Sequence, residues 1–167
     1  MNVTIERIEY GGWPNCCRLS NGVVDLVITT DVGPRVIRFG FVGERNEFVE
    51  LARDAGQTGG DRMRLYGGHR LWYAPERADR SYGADNFPVQ VDILRENSAR
   101  FTSAIEPNTG LLKTITLTPA PDIAFVQVDH RIARPGSEEP DHCAAWGITA
   151  LAPGGVGIAP FQRRPTP

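Results

Sequence analysis

The sequence predicts an all-β fold, an antiparallel β-sandwich built from short strands. Three observations lead to this prediction. Apolar and polar residues alternate in several short runs, as they do in strands with one buried face. Turn-forming residues separate these runs, and the chain of 167 residues contains 18 glycines and 13 prolines. No segment shows a sustained helical period, so the regular structure is expected to consist of strands.

The first part of the chain predicts an edge strand followed by a three-strand meander. Residues 3–10 alternate in part and form the first predicted strand. Residues 16–19 and 23–29 flank Asn21-Gly22, which is the strongest short hairpin signal because both residue types accept positive φ. Residues 35–42 alternate again after a turn. Successive antiparallel pairing of these runs is therefore expected.

The second part of the chain predicts a further group of strands. Residues 54–61 and 76–86 are rich in turn formers and are interpreted as loops, and long loops in compact domains are often functional. Alternation then returns in a series of runs, each of which predicts a strand: residues 88–94, 100–105, 111–118, 123–133 and 142–152, with 156–159 as a further short candidate.

Length and composition indicate one ordinary globular domain. Residues 1–160 are expected to form a single sandwich domain, and residues 161–167 a disordered tail. No apolar run approaches the roughly 20 residues of a membrane-spanning helix. The three cysteines are odd in number, and the first residues do not have the pattern of a signal peptide. Reduced thiols and a cytoplasmic location are therefore expected.

Charge and motifs exclude several classes of function. The net charge is -2 and the isoelectric point about 5.9, so the chain has no basic excess with which to bind nucleic acid. HExxH and CxxC metal-binding patterns are missing from the sequence, as are a phosphate-binding glycine loop before a helix and a GxSxG nucleophile turn. The sequence therefore predicts no metal site.

The richest chemistry lies in residues 64–76, which read RLYGGHRLWYAPE. A site for a small polar ligand needs an aromatic face, charged hydrogen-bond donors and a group that titrates near neutral pH. This stretch supplies all three, and its glycine pair allows a tight turn or a close backbone approach. The candidate residues are Arg64, His69, Arg70, Trp72 and Glu76.

Each of these residues also has a structural interpretation. His69 is either a proton-transfer or ligand-binding group, or a histidine that bonds a nearby carbonyl. Trp72 is either a stacking platform for the ring of a ligand or a core aromatic residue. Arg64 and Arg70 are either orienting donors for hydroxyls, a carboxylate or a phosphate, or solvated arginines at a strand edge.

Candidates outside this stretch are three further charged residues. Arg35 lies in a half-buried strand and needs a partner, so it is either a residue that supports the ligand site or half of a structural ion pair. Glu106 and Lys113 flank a predicted turn and are expected to pair at the surface, where such pairs contribute little. The alternative places Glu106 at the ligand site as a catalytic carboxylate. His130 is interpreted as structural and His142 as solvated.

Several blocks together resemble a known superfamily. The sequence WPNCCRLSNGVVDLVITTDVGPRVIRFGF is followed in order by YGGHRLWYAPE, DNFPV, EPNTGLLK and LAPGG. From about Trp13 to Gly155 the chain resembles an uncharacterised branch of the galactose mutarotase-like superfamily, which includes the aldose 1-epimerases. The resemblance implies a large antiparallel β-sandwich with a sugar-sized groove. It also implies that this chain corresponds to the first portion of a longer sandwich, with sheet edges that need cover.

The resemblance also implies a function. Active mutarotases use a histidine as general acid toward the ring oxygen and a glutamate as base toward the anomeric hydroxyl, without a cofactor. The sequence therefore predicts a carbohydrate-binding sandwich that interconverts sugar anomers, with His69 and Glu106 as catalytic residues. Substrate binding is assigned to Arg64, Arg70, Trp72, Glu76, Arg35 and Lys113. The alternatives are a non-catalytic carbohydrate-binding module and a structural domain that assembles as a homodimer.

Overall fold

The computed structural model describes residues 3–137 and 142–160, which fold into two antiparallel sheets and contain no helix. The predicted all-β fold is confirmed. The strands in chain order are β1 (Thr4–Tyr10), β2 (Trp13–Ser20), β3 (Val24–Thr29), β4 (Arg35–Phe41), β5 (Gly68–Ala74), β6 (Gln90–Arg95), β7 (Ser98–Thr102), β8 (Leu112–Pro119), β9 (Val126–Ala133) and β10 (Ala144–Ala150).

One sheet has the strand order β1-β2-β3-β4-β5-β10, and the other has the order β6-β7-β8-β9. Within each sheet, strands that follow one another in the sequence pair with each other. The chain passes to the second sheet between β5 and β6, and β10 returns from the end of the chain to lie beside β5. This return places residues 144–150 next to the stretch that the sequence singled out. It is the long-range step that assembles the candidate site.

The turn between β2 and β3 differs in one respect from the predicted hairpin. Only Gly22 has a positive φ, of 83°. Asn21 is fully buried, and its side-chain oxygen accepts hydrogen bonds from the backbone of Val23 and Val24. Its side-chain nitrogen donates to the carbonyl of Ala120, at 2.6 Å, in the loop after β8. The asparagine is therefore selected for its hydrogen bonds, which connect the two sheets, rather than for its backbone conformation.

The two glycines before β5 allow close backbone approach, as the sequence suggested. Gly67 and Gly68 have φ values of 100° and 67°. A side chain at Gly67 would overlap the carbonyl of Val49, and one at Gly68 would overlap the carbonyl of Val36. Gly68 also donates its backbone N–H to the Val49 carbonyl, at 3.0 Å. The glycine pair thus brings β5 tightly against β4 and the segment around Val49.

The main core lies between the two sheets. It is formed by the inward faces of β2 to β5 and of β7 and β8, with the buried side chains Cys17, Leu19, Leu26, Ile28, Val36, Leu71, Ala99, Phe101, Ile115 and Leu117. A second cluster covers the opposite, outer face of the six-stranded sheet and includes Trp13, Val27, Ile37 and Tyr66. Both faces of the central strands are therefore buried, which explains why β3 is buried at all six positions.

The sandwich is accessible to solvent at its edge beside β6. Val91 and Ile93 pair with Phe101 and Ala99, so they share the core face of their sheet. They nevertheless remain 37% and 57% exposed.

In the part of the chain that the structure describes, no helix is long and apolar enough to cross a membrane.

Two expectations concern the end of the chain. The candidate strand at 156–159 is wrong, because these residues form no strand and Val156 and Ile158 are 89% and 91% exposed. They have no neighbouring strand with which to pair. The tail predicted for residues 161–167 lies outside the described residues.

Candidate functional site

Strand β5 divides the singled-out stretch between two faces of the sheet. Side chains alternate along a strand, so His69, Leu71 and Tyr73 point toward the other sheet, where Leu71 joins the main core. Arg70 and Trp72 point to the outer face. The chemistry that the sequence placed in one site is therefore present in two places, an inner one and an outer one.

The inner face holds a pair of histidines. His69 Nε2 lies 2.8 Å from Nε2 of His130, which belongs to β9 in the other sheet. His69 Nδ1 lies 2.8 Å from the hydroxyl oxygen of Thr149 on β10. The two rings are tilted, with centroids 5.0 Å apart. The interpretation of His130 as merely structural thus missed its contact with the principal site residue.

Gly147 makes room for this pair. It lies on β10 between the two imidazoles, and a side chain there would come within 3.2 Å of His130 Cε1 and 3.3 Å of His69 Cε1. These separations are tighter than ordinary carbon contacts, so a methyl group would push one of the rings away. The absence of a side chain at this position therefore permits the hydrogen bond between the two sheets.

Both histidines favour the uncharged form. Burial, together with the charges of His130 and Arg35, lowers the pKa of His69 to about 4. Burial also lowers the pKa of His130, against the opposing influence of Asp129. At neutral pH each ring therefore carries one proton, and one Nε2 donates to the other. Such a pair offers a proton donor and a proton acceptor side by side.

His69 and Thr149 border a cleft between the sheets. The cleft has a volume of about 260 Å³, near the lower end of ligand pockets at roughly 300 Å³. His69 and Thr149 are its polar residues, and its walls are apolar: Leu26, Val36, Phe39, Phe48, Leu117, Val126 and Val128. Neither histidine is fully buried, so a small molecule in this cleft can reach the imidazole of His69.

Glu106 and Lys113 form an ion pair, as the sequence predicted, but not at the surface. The two residues are 8% and 6% exposed, and their side chains are in direct contact. Glu106 also accepts a hydrogen bond of 2.7 Å from Thr109. The expectation of a weak surface pair was wrong, because the turn folds inward and removes both charges from water. A buried pair of this kind is costly to break.

The structure does not bring Glu106 next to His69. Lys113 lies 5.5 Å from the ring centroid of Tyr73, and this places the ion pair beside the far end of β5. Tyr73 lies four positions after His69 in an extended strand, which corresponds to a distance of about 13 Å. The titratable side chain in hydrogen-bond contact with His69 is His130, and Glu106 is held in an ion pair elsewhere.

The outer face of β5 carries Arg70 and Trp72. The Arg70 guanidinium carbon lies 4.0 Å from the centroid of the Trp72 ring. Trp72 is only 8% exposed and contacts Tyr82 and Trp146, with centroid distances of 5.5 and 5.7 Å. Arg70 thus covers one face of Trp72, which is buried as the core interpretation expected. Arg70 itself is buried, so the interpretation as a solvated strand-edge arginine was wrong.

Arg35 is fully buried and forms the structural ion pair that was one of its two interpretations. Its Nη2 donates to Asp85 at 2.7 Å, and its Nη1 donates to the carbonyl of Leu65 at 2.8 Å. The guanidinium also lies over the ring of Tyr66. Burial alone raises the pKa of Asp85, but the cations Arg35, Arg70 and Lys113 lower it overall. Arg35 therefore anchors the loop after β5 as a charged pair.

Arg64 and Glu76 lie outside both groups of side chains. Arg64 donates to the carbonyl of Gly59 at 2.7 Å and supports the loop before β5. Glu76 accepts a hydrogen bond from the hydroxyl of Tyr82, which is 46% exposed. Neither residue contacts His69, His130 or the buried ion pair. Their placement gives them a role in loop structure.

The residues that sequence reasoning missed are His130, Thr149, Asp85 and Trp146. Alternation along β9 places His130 on the same face as Val126 and Val128, but no local pattern indicates which strand it faces. Trp146 is opposite Trp72 in the pairing of β10 with β5, a contact that depends on the return of the chain end to β5. Asp85 lies within the polar loop 76–86, and its only sequence signal was a carboxylate in a long loop.

Within residues 3–137 and 142–160, no three side chains of His, Cys, Asp or Glu come together as a metal site would require. Comparisons of the chain with protein-family models, with curated proteins and with solved structures gave no match. The resemblance to the galactose mutarotase-like superfamily therefore stays a prediction from the sequence blocks.

Proposed function

We propose that this chain is a carbohydrate-binding β-sandwich that interconverts sugar anomers by general acid and base catalysis, in the manner of the mutarotases. The observation that carries the proposal is the contact between His69 and His130 beside an open cleft. Their Nε2 atoms lie 2.8 Å apart, so that when the pair takes up one proton, one imidazole is a proton donor and the other a proton acceptor. No carboxylate is needed for this pair of roles.

Anomer exchange requires two proton transfers. The ring oxygen gains a proton, the anomeric hydroxyl loses one, and the bond between the anomeric carbon and the ring oxygen breaks. The resulting aldehyde rotates and the ring closes again on its other face. A sugar in the cleft separates the two imidazoles and replaces their mutual hydrogen bond. One ring, which has taken up a second proton from solvent, then donates its Nε2 proton to the ring oxygen and becomes uncharged, while the other, uncharged ring accepts the hydroxyl proton and becomes charged.

Thr149 has a defined part in this scheme. Its hydroxyl lies 2.8 Å from Nδ1 of His69 and can either donate to that nitrogen or accept from it. It therefore supports both tautomers of His69. After ring opening the two histidines have exchanged protonation states, and ring closure returns both protons, so each turnover restores the pair. The walls of Phe39, Phe48 and Val128 exclude water from one side of the sugar.

The test is anomer exchange measured by NMR on hexoses, hexose phosphates and uronic acids. We expect the protein to accelerate exchange of at least one sugar, and His69→Gln and His130→Gln each to reduce that acceleration by roughly 100-fold or more. The matched control is His142→Gln, because His142 is exposed. It should retain the wild-type rate.

Full acceleration in a folded His69→Gln protein would overturn the assignment of the histidine pair. No acceleration of any sugar by the wild-type protein, with line broadening for one of them, would favour the second candidate. That candidate is a non-catalytic carbohydrate-binding module. It is favoured by the position of Glu106, which is paired with Lys113 and Thr109 rather than placed beside His69.

The self-assembling structural domain remains a third proposal. It is supported by Val91 and Ile93, which face the core side of their sheet and remain 37% and 57% exposed. A second apolar surface packed against Val91 and Ile93 would bury these side chains.

A further inference from the structure

The cleft beside His69 is polar at one end and apolar elsewhere. His69 and Thr149 are its polar side chains, and the other seven side chains that line it are apolar. Two of these lie next to the histidines. Val36 pairs with His69 between β4 and β5, and Val128 precedes His130 by two positions on β9, so these two share a face of that strand. Beyond the two polar residues, the lining side chains offer a ligand no hydrogen bond.

The cleft also offers no cation to a ligand. No lysine or arginine is among the side chains that line it. Arg35, the neighbour of Val36 on β4, belongs to the outer face of the sheet and is paired with Asp85. A phosphate or carboxylate in the cleft would therefore lose its hydration without gaining a partner, and burial of an unpaired charge is strongly unfavourable. The cleft thus disfavours sugar phosphates and sugar acids.

The apolar surface continues to the opening of the cleft. Val128 is 36% exposed. Leu151 follows Thr149 by two positions, forms a bridge with the wall residue Phe48 and is 54% exposed. Exposed apolar side chains grouped around a cleft are typical of a surface that binds a ligand or partner with apolar groups.

The proposed reaction determines which part of a sugar meets this wall. In a hexopyranose, C5 is bonded to the ring oxygen and carries C6, so the group at C6 lies beside the imidazole that protonates the ring oxygen. A valine lies next to each imidazole, Val36 beside His69 and Val128 on the strand of His130. The C6 group therefore packs against apolar surface whichever histidine donates. A hydroxyl there loses its hydrogen bonds with water, whereas a methyl group has none to lose.

We propose that the cleft is a site for 6-deoxyhexoses, sugars whose C6 is a methyl group, and that Val128 determines this preference. The inference rests on the proposed function, because it uses the position of the ring oxygen beside a histidine. The edge of the sugar formed by C1, the ring oxygen and C5 faces the histidines, and the methyl group packs against Val128. The opposite edge, with the hydroxyls at C2, C3 and C4, faces the opening and keeps its contact with water.

The experiment compares sugars that differ only at C6: D-glucose with 6-deoxy-D-glucose, D-galactose with D-fucose, and L-mannose with L-rhamnose. Anomer exchange is measured by NMR with the whole chain at neutral pH. We expect kcat/KM to be about 10- to 100-fold higher for the 6-deoxy member of the accelerated pair, which is the range over which an apolar pocket rejects an added hydroxyl. D-glucose 6-phosphate and D-glucuronate should not be accelerated.

Val128→Thr places a hydroxyl on the wall with little change in volume. It should reduce the preference for the 6-deoxy sugar by about fivefold, because the C6 hydroxyl of the hexose then has a partner. The matched control is Val91→Thr. Val91 is 37% exposed, close to the 36% of Val128, but it lies on β6 and lines a different cavity. This variant should keep the wild-type preference, and thermal unfolding verifies that both variants are folded.

Equal or faster exchange of the unmodified hexoses would overturn the inference and leave the proposed function in place. So would acceleration of the sugar phosphate, or an unchanged preference in folded Val128→Thr. If no sugar is accelerated, the proposed function fails and binding decides the inference, through the NMR shifts of the His69 imidazole during titration with each matched pair. Tighter binding of the 6-deoxy member would support the site, and equal affinity or no shift would overturn it.

Discussion

At the scale of single residues, the environment of His69 determines its chemistry more than its place in the sequence does. The same imidazole would titrate near its ordinary pKa of 6.5 on an exposed strand. Here burial and the neighbouring His130 lower its pKa to about 4. The consequence is a histidine pair that is uncharged at neutral pH, and this gives the pair a measurable effect on folding stability.

The first prediction concerns that stability. The unfolded chain binds protons at His69 near pH 6.5, whereas the folded chain does so only near pH 4. Between these values the unfolded state binds more protons, so the free energy of unfolding falls as the pH is lowered. His130 contributes in the same direction. We expect a loss on the order of 2 kcal/mol across this range from His69, measured by urea denaturation at a series of pH values.

His69→Gln is the variant that isolates this effect, because glutamine does not titrate. Its stability should depend less steeply on pH than that of the wild-type protein. His142→Gln provides the comparison, since His142 is exposed, and it should keep the wild-type dependence. Identical pH profiles for His69→Gln and wild type would show that His69 is not the group that is protonated on unfolding.

At the scale of the strand, β5 is the element that carries both groups of side chains. It presents His69 to one side and Arg70 to the other, and it pairs with β4 and β10. Gly68 at its start allows β5 to approach β4 because no side chain meets the Val36 carbonyl. The close packing of β5 against β4 is therefore possible because residue 68 is a glycine.

The second prediction tests that close approach. Gly68→Ala should lower the free energy of unfolding by about 3 kcal/mol or more, because the new methyl group overlaps a backbone carbonyl and the backbone has a positive φ. Gly43→Ala is the matched control. Gly43 also has a positive φ, of 83°, but no atom lies within 4 Å of the position that a side chain would take.

Denaturant titration of the two variants separates strain from overlap. Gly43→Ala carries only the cost of the left-handed backbone, about 1 kcal/mol. The difference between the variants is then the cost of moving β5 away from β4. Equal destabilisation of the two proteins would mean that the strands adjust freely. The close approach would then contribute nothing to the free energy of unfolding.

At the scale of the whole molecule, the two sheets are joined by a few polar contacts in addition to the apolar core. The His69–His130 hydrogen bond is one of them, and Asn21 provides another. Asn21 belongs to the β2–β3 turn, yet its side-chain nitrogen donates to the carbonyls of Ala120 and Ile123 in the loop after β8, at 2.6 and 2.9 Å. This asparagine therefore ties the end of one sheet to the end of the other.

The third prediction is that Asn21→Ala destabilises the whole fold by about 2–4 kcal/mol. The change leaves backbone groups of the turn and of the loop after β8 without partners in a buried place. Thermal or urea unfolding measures the loss. The control is Asn108→Ala, because Asn108 is exposed and makes one long hydrogen bond of 3.4 Å to the Arg80 carbonyl. If the two variants lose equal stability, the proposed link between the sheets is wrong.

Some features could be predicted because they are local. The alternation in residues 24–29 and 35–41 predicts strands, since a sheet face repeats every two residues. The close backbone approach at Gly67 and Gly68 follows from the absence of side chains. The pairing of Glu106 with Lys113 follows from their positions on either side of one turn. In each case the feature depends on the residues of the segment itself or on one short turn, so the sequence itself limits the geometry.

The sequence by itself therefore determined the strands, most of the turns and the residues of the central stretch. Only the tertiary structure decided which strands distant in the sequence are neighbours. His69 meets His130 across 61 positions of sequence, and Trp72 meets Trp146 because β10 returns to β5. Alternation states which side chains share a face but not which strand lies opposite, since that choice depends on the packing of the whole core. The same reason explains why one stretch of sequence supplies side chains to opposite faces of a sheet.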